Sequence, residues 1–202
     1  MRKKRVLISV WDKTGIVDFA QQLTKLGWEI ISTGGTAKVL KTAKIRVIPI
    51  EKITGNLEVF DGRMKTISFQ IESAILYDRK NKKHQREAKR LGIQPIDMVV
   101  CNLYPFEKEK TIENIDASAK LSINPEALER IDIGGPTMIR AAAKNYKYVT
   151  VIIDPKDYQR IIEVLRKENK IPEKTRLELA QKVFQRTAKY EKEIAKYFKT
   201  RT

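Results

Sequence analysis

Short apolar runs alternate with amphipathic stretches along most of the chain. Val6 to Val10 is an apolar run, and Ile16, Phe19, Ala20, Leu23 and Leu26 then recur at helical spacing until Gly27. Trp28 to Ser32 predicts a second strand, Ala37 to Thr42 a short helix, and Val47 to Ile50 a third strand. Ser73 to Tyr77 reads as another strand, Asn81 to Leu91 as a charged helix closed by Gly92, and Ile96 to Cys101 as the most apolar strand. Two short helices, Thr111 to Lys120 and Pro125 to Ile131, precede a helix from Pro136 through Ala143. A last strand, Lys147 to Ile153, leads through Asp154-Pro155 into a helix ending near Arg166. Strand and helix in this alternation predict an α/β fold, a mostly parallel sheet with helices on both faces.

Residues 1–168 form the expected core of a single domain, and residues 172–198 read as one long amphipathic helix. Leu177, Ala180, Phe184, Ala188, Ile194 and Phe198 make one stripe on it. Val183, Tyr190 and Tyr197 add a flank at seven-residue intervals, which predicts a contact with a neighbouring subunit and hence a homodimer.

Composition narrows the function classes. The chain has 202 residues, 42% of them hydrophobic, enough for a real core. It has no apolar run of about 18 residues and no signal-peptide pattern, so the expected location is the cytoplasm without membrane contact. Cys101, the single cysteine, lies in the run M-V-V-C and is expected to be a buried structural thiol. The formal net charge of +16 raises nucleic acid as a partner. The basic residues, however, are spread along the chain among glutamates, which favours solvated helix faces over nucleic-acid contact.

Candidate chemistry gathers at the predicted strand ends, where parallel sheets bind ligands. Ser9, Lys13, Thr14, Thr33, Gly34, Gly35, Thr36 and Arg63 could hold one phosphate, because small hydroxyls and glycine N–H groups do this without metal. Gly15 closes the D-K-T-G turn, and Gly134 and Gly135 let a ligand approach the start of the following helix. Lys65, Tyr104, Asp132 and Lys144 are acids, bases and cations available to a reacting centre. Each also has a plain alternative: a solvated lysine, a tyrosine packed on Pro105, a helix-capping aspartate, a lysine at a helix C-terminus. The only histidine, His84, lies between Lys83 and Gln85 and is expected to face solvent. No cysteine and histidine cluster has metal-ligand spacing, and neither a dinucleotide fingerprint nor a P-loop is present.

Five segments in order, S-V-W-D-K-T-G (9–15), S-T-G-G-T-A (32–37), D-G-R-M-K-T (61–66), P-I-D-M-V-V-C-N-L-Y-P-F (95–106) and I-D-I-G-G-P-T-M-I-R-A-A-A-K-N (131–145), end in T-A-K-Y (187–190). Together they resemble the IMP cyclohydrolase domain of the bifunctional purine-biosynthesis enzyme whose other half is AICAR transformylase. The resemblance implies a methylglyoxal-synthase-like fold. It also implies closure of 5-formamidoimidazole-4-carboxamide ribotide to inosine monophosphate with release of water, independent of metal or cofactor. It places the catalytic residues on Lys65, Tyr104, Asp132 and Lys144. Phosphate contacts fall on the D-K-T-G and S-T-G-G-T turns with Arg63, and the Asn102-Leu103-Tyr104 turn is set to orient the reacting amide. A nucleotide-binding regulatory module on the same scaffold is the alternative.

Three positions depart from the family's usual pattern. Ile67-Ser68-Phe69 replaces L-H-P after Lys65-Thr66, Arg186 replaces a histidine before T-A-K-Y, and Thr54-Gly55-Asn56-Leu57-Glu58 replaces T-G-F-P-E. The sequence stops at Thr202, so the expectation is a cyclohydrolase without its transformylase half, fed by a separate formyl-transfer enzyme. If the glycine-rich helix starts at Pro136, Lys144 stands about 12 Å further along it.

Overall fold

A computed structural model describes residues 2–106 and 124–199. The expected helix over 111–120 lies outside the described residues. Five strands, β1 (Arg5–Ile8), β2 (Glu29–Ser32), β3 (Val47–Pro49), β4 (Met98–Val100) and β5 (Thr150–Ile152), form one sheet in the order β3-β2-β1-β4-β5. Every pairing is parallel: Val6 sits opposite both Ile30 and Met98, and Val99 opposite Val151. Val6, Leu7 and Ile8 have no exposed surface, as expected of a central strand covered on both faces.

The strand order reverses direction between β1 and β4. Helices α1 (Ile16–Lys25) and α2 (Gly34–Thr42) carry the chain outward from β1 to β3, and α8 (Tyr158–Glu168) packs beside α1, with Phe19 stacked on Tyr158 at 4.4 Å. The short α3 (Glu51–Thr54) precedes α4 (Phe69–Leu76) and the polar α5 (Lys82–Arg90). Beyond α6 (Pro125–Glu129), α7 (Gly134–Lys144) and α9 (Glu173–Lys199) pack with α4 on the opposite face. Right-handed crossovers in opposite directions require opposite faces. The crevice beyond the C-terminal ends of β1 and β4 is therefore the topological switch point, where ligands bind in such sheets.

Several local expectations change. Residues 73–77 are not a strand: Ser68 caps α4 by accepting the Ile71 N–H at 3.1 Å, and Ile71, Ala74 and Ile75 bury at helical spacing. The helix of the glycine pair begins at Gly134 rather than Pro136. His84 is half-buried, and its Nδ1 accepts the Asp78 N–H at 3.1 Å. On α9 the buried line is Thr175, Leu179, Ala180, Val183, Thr187, Tyr190 and Tyr197, while Leu177 and Phe184 are exposed. Val183, Tyr190 and Tyr197 thus pack into their own chain instead of meeting a neighbour. The buried threonines hid the true stripe, because a hydroxyl that can bond its own helix backbone reads as polar: Thr187 Oγ1 donates to the Phe184 carbonyl at 3.3 Å.

At the end of the sheet away from the crevice, Asp97 ties the fold together. Its carboxylate accepts from Arg2 at 2.6 and 2.7 Å, from Arg79 at 2.7 Å and from the Arg5 N–H at 2.9 Å. Burial pushes this carboxyl up, yet the Arg2 hydrogen bond, the Arg5 N–H and the Arg79 charge outweigh it and hold it below the usual range. Among the described residues no helix is long and apolar enough to cross a membrane.

Candidate active site

The switch-point crevice is a cavity of about 360 Å³. Three strand-end turns build it. After β1 come Ser9, Trp11 and Lys13; after β2, Thr33 to Thr36; after β4, Cys101, Asn102 and Tyr104. Lys65 and Thr66 enter from the loop before α4, Arg130 and Asp132 from the turn before α7, and Gly135 from its first turn.

The floor is the N-terminus of α2. Thr33 is its N-cap but makes no capping bond, and Gly34 and Gly35 form its first turn, so their N–H groups point out of the helix. Gly34 has φ +52°, and a methyl group there would stand 3.4 Å from Lys65 Nζ; one on Gly35 would meet Lys13 Cε at 3.8 Å. Two cationic side chains thus lie over one helix start, whose dipole already favours an anion. The Thr33 hydroxyl is buried with no hydrogen-bond partner among the described residues. A buried hydroxyl without a partner beside a helix start is a rare feature in a folded chain.

The turns around this floor are fixed by local bonds. Thr36 Oγ1 accepts the Val10 N–H and donates to the Val10 carbonyl, both at 3.0 Å. Asn102 Oδ1 accepts the N–H groups of Trp11 and Asp12 at 2.8 and 2.9 Å, and its amide donates to the Asp12 carbonyl at 2.9 Å. Asn102 therefore staples the β1 turn to the β4 turn across the switch point. Trp11 stands edge-on to Tyr104 at 5.1 Å, and the Arg130 guanidinium lies 5.9 Å from the Tyr104 ring centre.

Asp132 brings a carboxylate to the crevice. Its Oδ1 accepts the Gly135 N–H at 2.8 Å, so the capping alternative holds in part. A methyl group on Gly135 would collide with Asp132 Oδ2 and Leu103, and one on Gly134 with Thr66. The two glycines let the carboxylate, Leu103 and Thr66 crowd the start of α7. Burial pushes the Asp132 carboxyl above the usual carboxylate range, and the Gly135 N–H and the Lys65 charge pull it part of the way back. Lys65 itself lies 3.5 Å from Glu58 and is partly exposed.

Not every expected residue reaches this cavity. Ser9, Lys13, Thr33, Gly34, Gly35, Thr36, Asn102 and Gly135 line it, with Lys65, Tyr104 and Asp132. Thr14 and Gly15 do not: the Thr14 N–H is turned to Asp12 Oδ1, and Gly15 is the left-handed N-cap of α1. Leu103 is buried behind Gly135, and Gly134 is half-buried against Thr66. Arg63 lies on the exposed rim, paired with Glu129. Lys144 is exposed at the C-terminal end of α7, ten residues and about 15 Å of helical rise from Gly134. It lines a second cavity of about 600 Å³ that runs along α7 with Glu72, Arg140, Phe184 and Glu191 and shares Asp132 with the crevice.

Sequence reading missed Trp11, Thr66 and Arg130. Trp11 was visible inside the S-V-W-D-K-T-G turn, and Arg130 stands two residues before Asp132. Cys101 lines the crevice as a buried thiol whose burial raises its pKa far above the usual range, which leaves it un-ionised. Among the described residues no cluster of histidine, cysteine, aspartate or glutamate could hold a metal ion.

Comparison with known proteins places the chain in a family. Residues 15–137 match the MGS-like domain, and residues 142–202 match the AICARFT/IMPCHase bienzyme. The chain is 52% identical over 196 residues to the bifunctional purine biosynthesis protein PurH of Acetivibrio thermocellus, covering 97% of this chain and 37% of that protein. It is 49% identical to PurH of Thermoanaerobacter sp., with 96% and 37% covered. The chain thus spans little more than a third of the length of these relatives. Among solved structures, ForH superposes with a TM-score of 0.84 at 30% identity and 98% coverage of both chains.

Proposed function

The chain belongs to the MGS-like domain family, and on that premise we propose that it is an IMP cyclohydrolase, closing 5-formamidoimidazole-4-carboxamide ribotide to inosine monophosphate. The observation that carries this reading is one cavity with two chemically distinct ends. One end offers helix N–H groups, the Thr33 hydroxyl and Lys13 to a phosphate, with Lys65 standing between the two ends. The other offers a carboxylate, Asp132, beside Tyr104.

In the proposed reaction the carboxamide nitrogen attacks the formyl carbon, and Asp132 takes the proton that this nitrogen loses. The formyl oxygen gains negative charge, which Lys65 stabilises. The oxyanion takes up the proton that Asp132 received and becomes a hydroxyl, which then leaves as water with the proton lost by the former formamide nitrogen, whose electron pair forms the ring C=N bond. Tyr104, steadied by Trp11 and Arg130, orients the carboxamide. Both reacting groups belong to one molecule, so holding them in an attack geometry is itself a large contribution. Arg63 joins the phosphate by exchanging its exposed Glu129 partner.

Lys144 needs a different route. Leu76, Ile133 and Phe184 line its cavity and are 41%, 60% and 44% exposed, and Phe60 and Met64 continue the apolar surface past Ile133. This face, rather than the inward flank of α9, is the surface we assign to a homodimer. A second copy seated there brings its own Lys144 toward Asp132. Formyl transfer is assigned outside residues 1–202, to a separate activity that supplies the substrate.

Incubating the purified protein with the formamido nucleotide and following ring closure by absorbance tests this function. Conversion proportional to enzyme is expected. No conversion by protein that still binds inosine monophosphate would leave only a nucleotide-binding role.

A further inference from the structure

The T-A-K-Y segment of α9 lies outside the proposed chemistry, yet it reaches the catalytic turn. Tyr190 is 5% exposed, and its phenol oxygen accepts the backbone N–H of Asp132 at 2.9 Å. The Asp132 carboxylate is in turn engaged by the Gly135 N–H at 2.8 Å. Asp132 is therefore held at both ends: by α9 through its backbone and by the start of α7 through its side chain. The helix is anchored for this task. Val183 and Thr187 are buried on the same face, and Tyr197, two turns beyond Tyr190, accepts the N–H of Asn124 at 3.1 Å.

We propose that Tyr190 is a positioning residue, whose hydroxyl fixes from the C-terminal helix the turn that presents Asp132 to the crevice. The inference rests on the cyclohydrolase reading for its consequence in turnover, but not for the geometry itself. Packing alone would ask only for an aromatic ring; the hydrogen bond asks for the oxygen. Without it the Asp132 N–H loses its acceptor in a half-buried site, and the turn relaxes to find another. A shift of about 1 Å in the carboxylate is enough to lower turnover strongly while leaving the phosphate end untouched.

Tyr190→Phe removes only the oxygen, and Tyr197→Phe is the matched control. Two readouts are taken: amide hydrogen exchange at Gly135, whose N–H bonds the carboxylate and not the phenol, and the separate values of kcat and KM. In Tyr190→Phe, exchange at Gly135 is expected to speed up about tenfold and kcat to fall about tenfold, with KM within about twofold. Tyr197→Phe leaves both near wild type. Unchanged exchange at Gly135 would overturn the proposal, and so would faster exchange with wild-type kcat. If the wild-type protein turns nothing over, the cyclohydrolase reading fails, while the exchange at Gly135 still decides whether Tyr190 holds the turn.

Discussion

The wall of the crevice formed by the turn after β2 is largely local, and the wall opposite is not. Thr33, Gly34, Gly35 and Thr36 are consecutive, and the strand and helix on either side of them fix where they point. Their positions follow from a strand end and a helix start, with one longer tie, the Thr36 hydroxyl bonded to Val10 in the neighbouring turn. Asp132, Lys65 and Tyr104 come from three separate loops, and the Asp132 backbone bonds a residue 58 positions away. Change elsewhere in the chain should therefore disturb the Thr33-to-Thr36 turn least. The reacting wall depends on how α7, α9 and the loop before α4 pack.

Asp132→Asn should show the largest effect, because it strikes the chemistry of the reacting wall alone. A fall in kcat of about 10²- to 10⁴-fold is expected, with KM little changed. A similar loss in affinity instead would merge the two walls into one binding surface. The same carboxylate sets a pH signature. Asp132 acts as base only when ionised, and burial raises its pKa. The acidic limb of the pH–rate profile should therefore fall above the range of an ordinary carboxylate, and activity should be lost as pH drops through it.

Asp97→Asn should separate stability from both walls. It leaves Arg2 and Arg79 facing a neutral amide at the far end of the sheet, at an expected cost of about 3 kcal/mol in denaturant unfolding. Because the folded-state pKa of Asp97 is depressed, its contribution is fully present above the unfolded carboxylate pKa. It is lost as pH falls through the lower folded value. Stability that stayed flat through acid in the wild type, relative to the variant, would remove this role.

Lys144 tests whether the reacting wall extends into a second copy. Asp132→Asn and Lys144→Ala proteins are each expected to be nearly inactive. Mixed and allowed to exchange subunits, they should recover about a quarter of wild-type activity, since half the dimers are mixed and each mixed dimer has one intact site. No recovery, with exchange confirmed by sedimentation of tagged subunits, would return Lys144 to its own chain.

Thr33→Val should have the smallest effect and confine it to the local wall. Removing one hydroxyl from the phosphate end should weaken nucleotide binding about fivefold, or about 1 kcal/mol, with kcat preserved. Since that hydroxyl has no partner among the described residues, thermal stability should not fall.

This contrast explains what the sequence disclosed. Each of the five strands was visible as an apolar run within a few residues of its ends, and the parallel order followed from the alternation with helices. The Thr33-to-Thr36 turn was legible for the same reason, since a strand, two glycines and a helix are all local signals. The α4 segment was misread because four apolar residues in a short stretch fit either period; the Ser68 cap is what decides for a helix. The face of α9 was misread because Thr175 and Thr187 are buried. Arg63 and Lys144 fit the site by residue type and by family likeness; the helical spacing already sets Lys144 far from Gly134, whereas the place of Arg63 on the rim depends on loop packing that no spacing encodes. Tyr190 was seen as a surface aromatic because its partner, the Asp132 N–H, is a backbone group and leaves no mark in the sequence.

A crystal structure with inosine monophosphate bound tests the central claim most directly. The account predicts phosphate oxygens on the Gly34-to-Thr36 N–H groups and the Thr33 hydroxyl, with the purine ring toward Asp132 and Tyr104. A nucleotide seated with its phosphate at Arg140 in the cavity along α7, leaving the Thr33 hydroxyl without a partner, would contradict it.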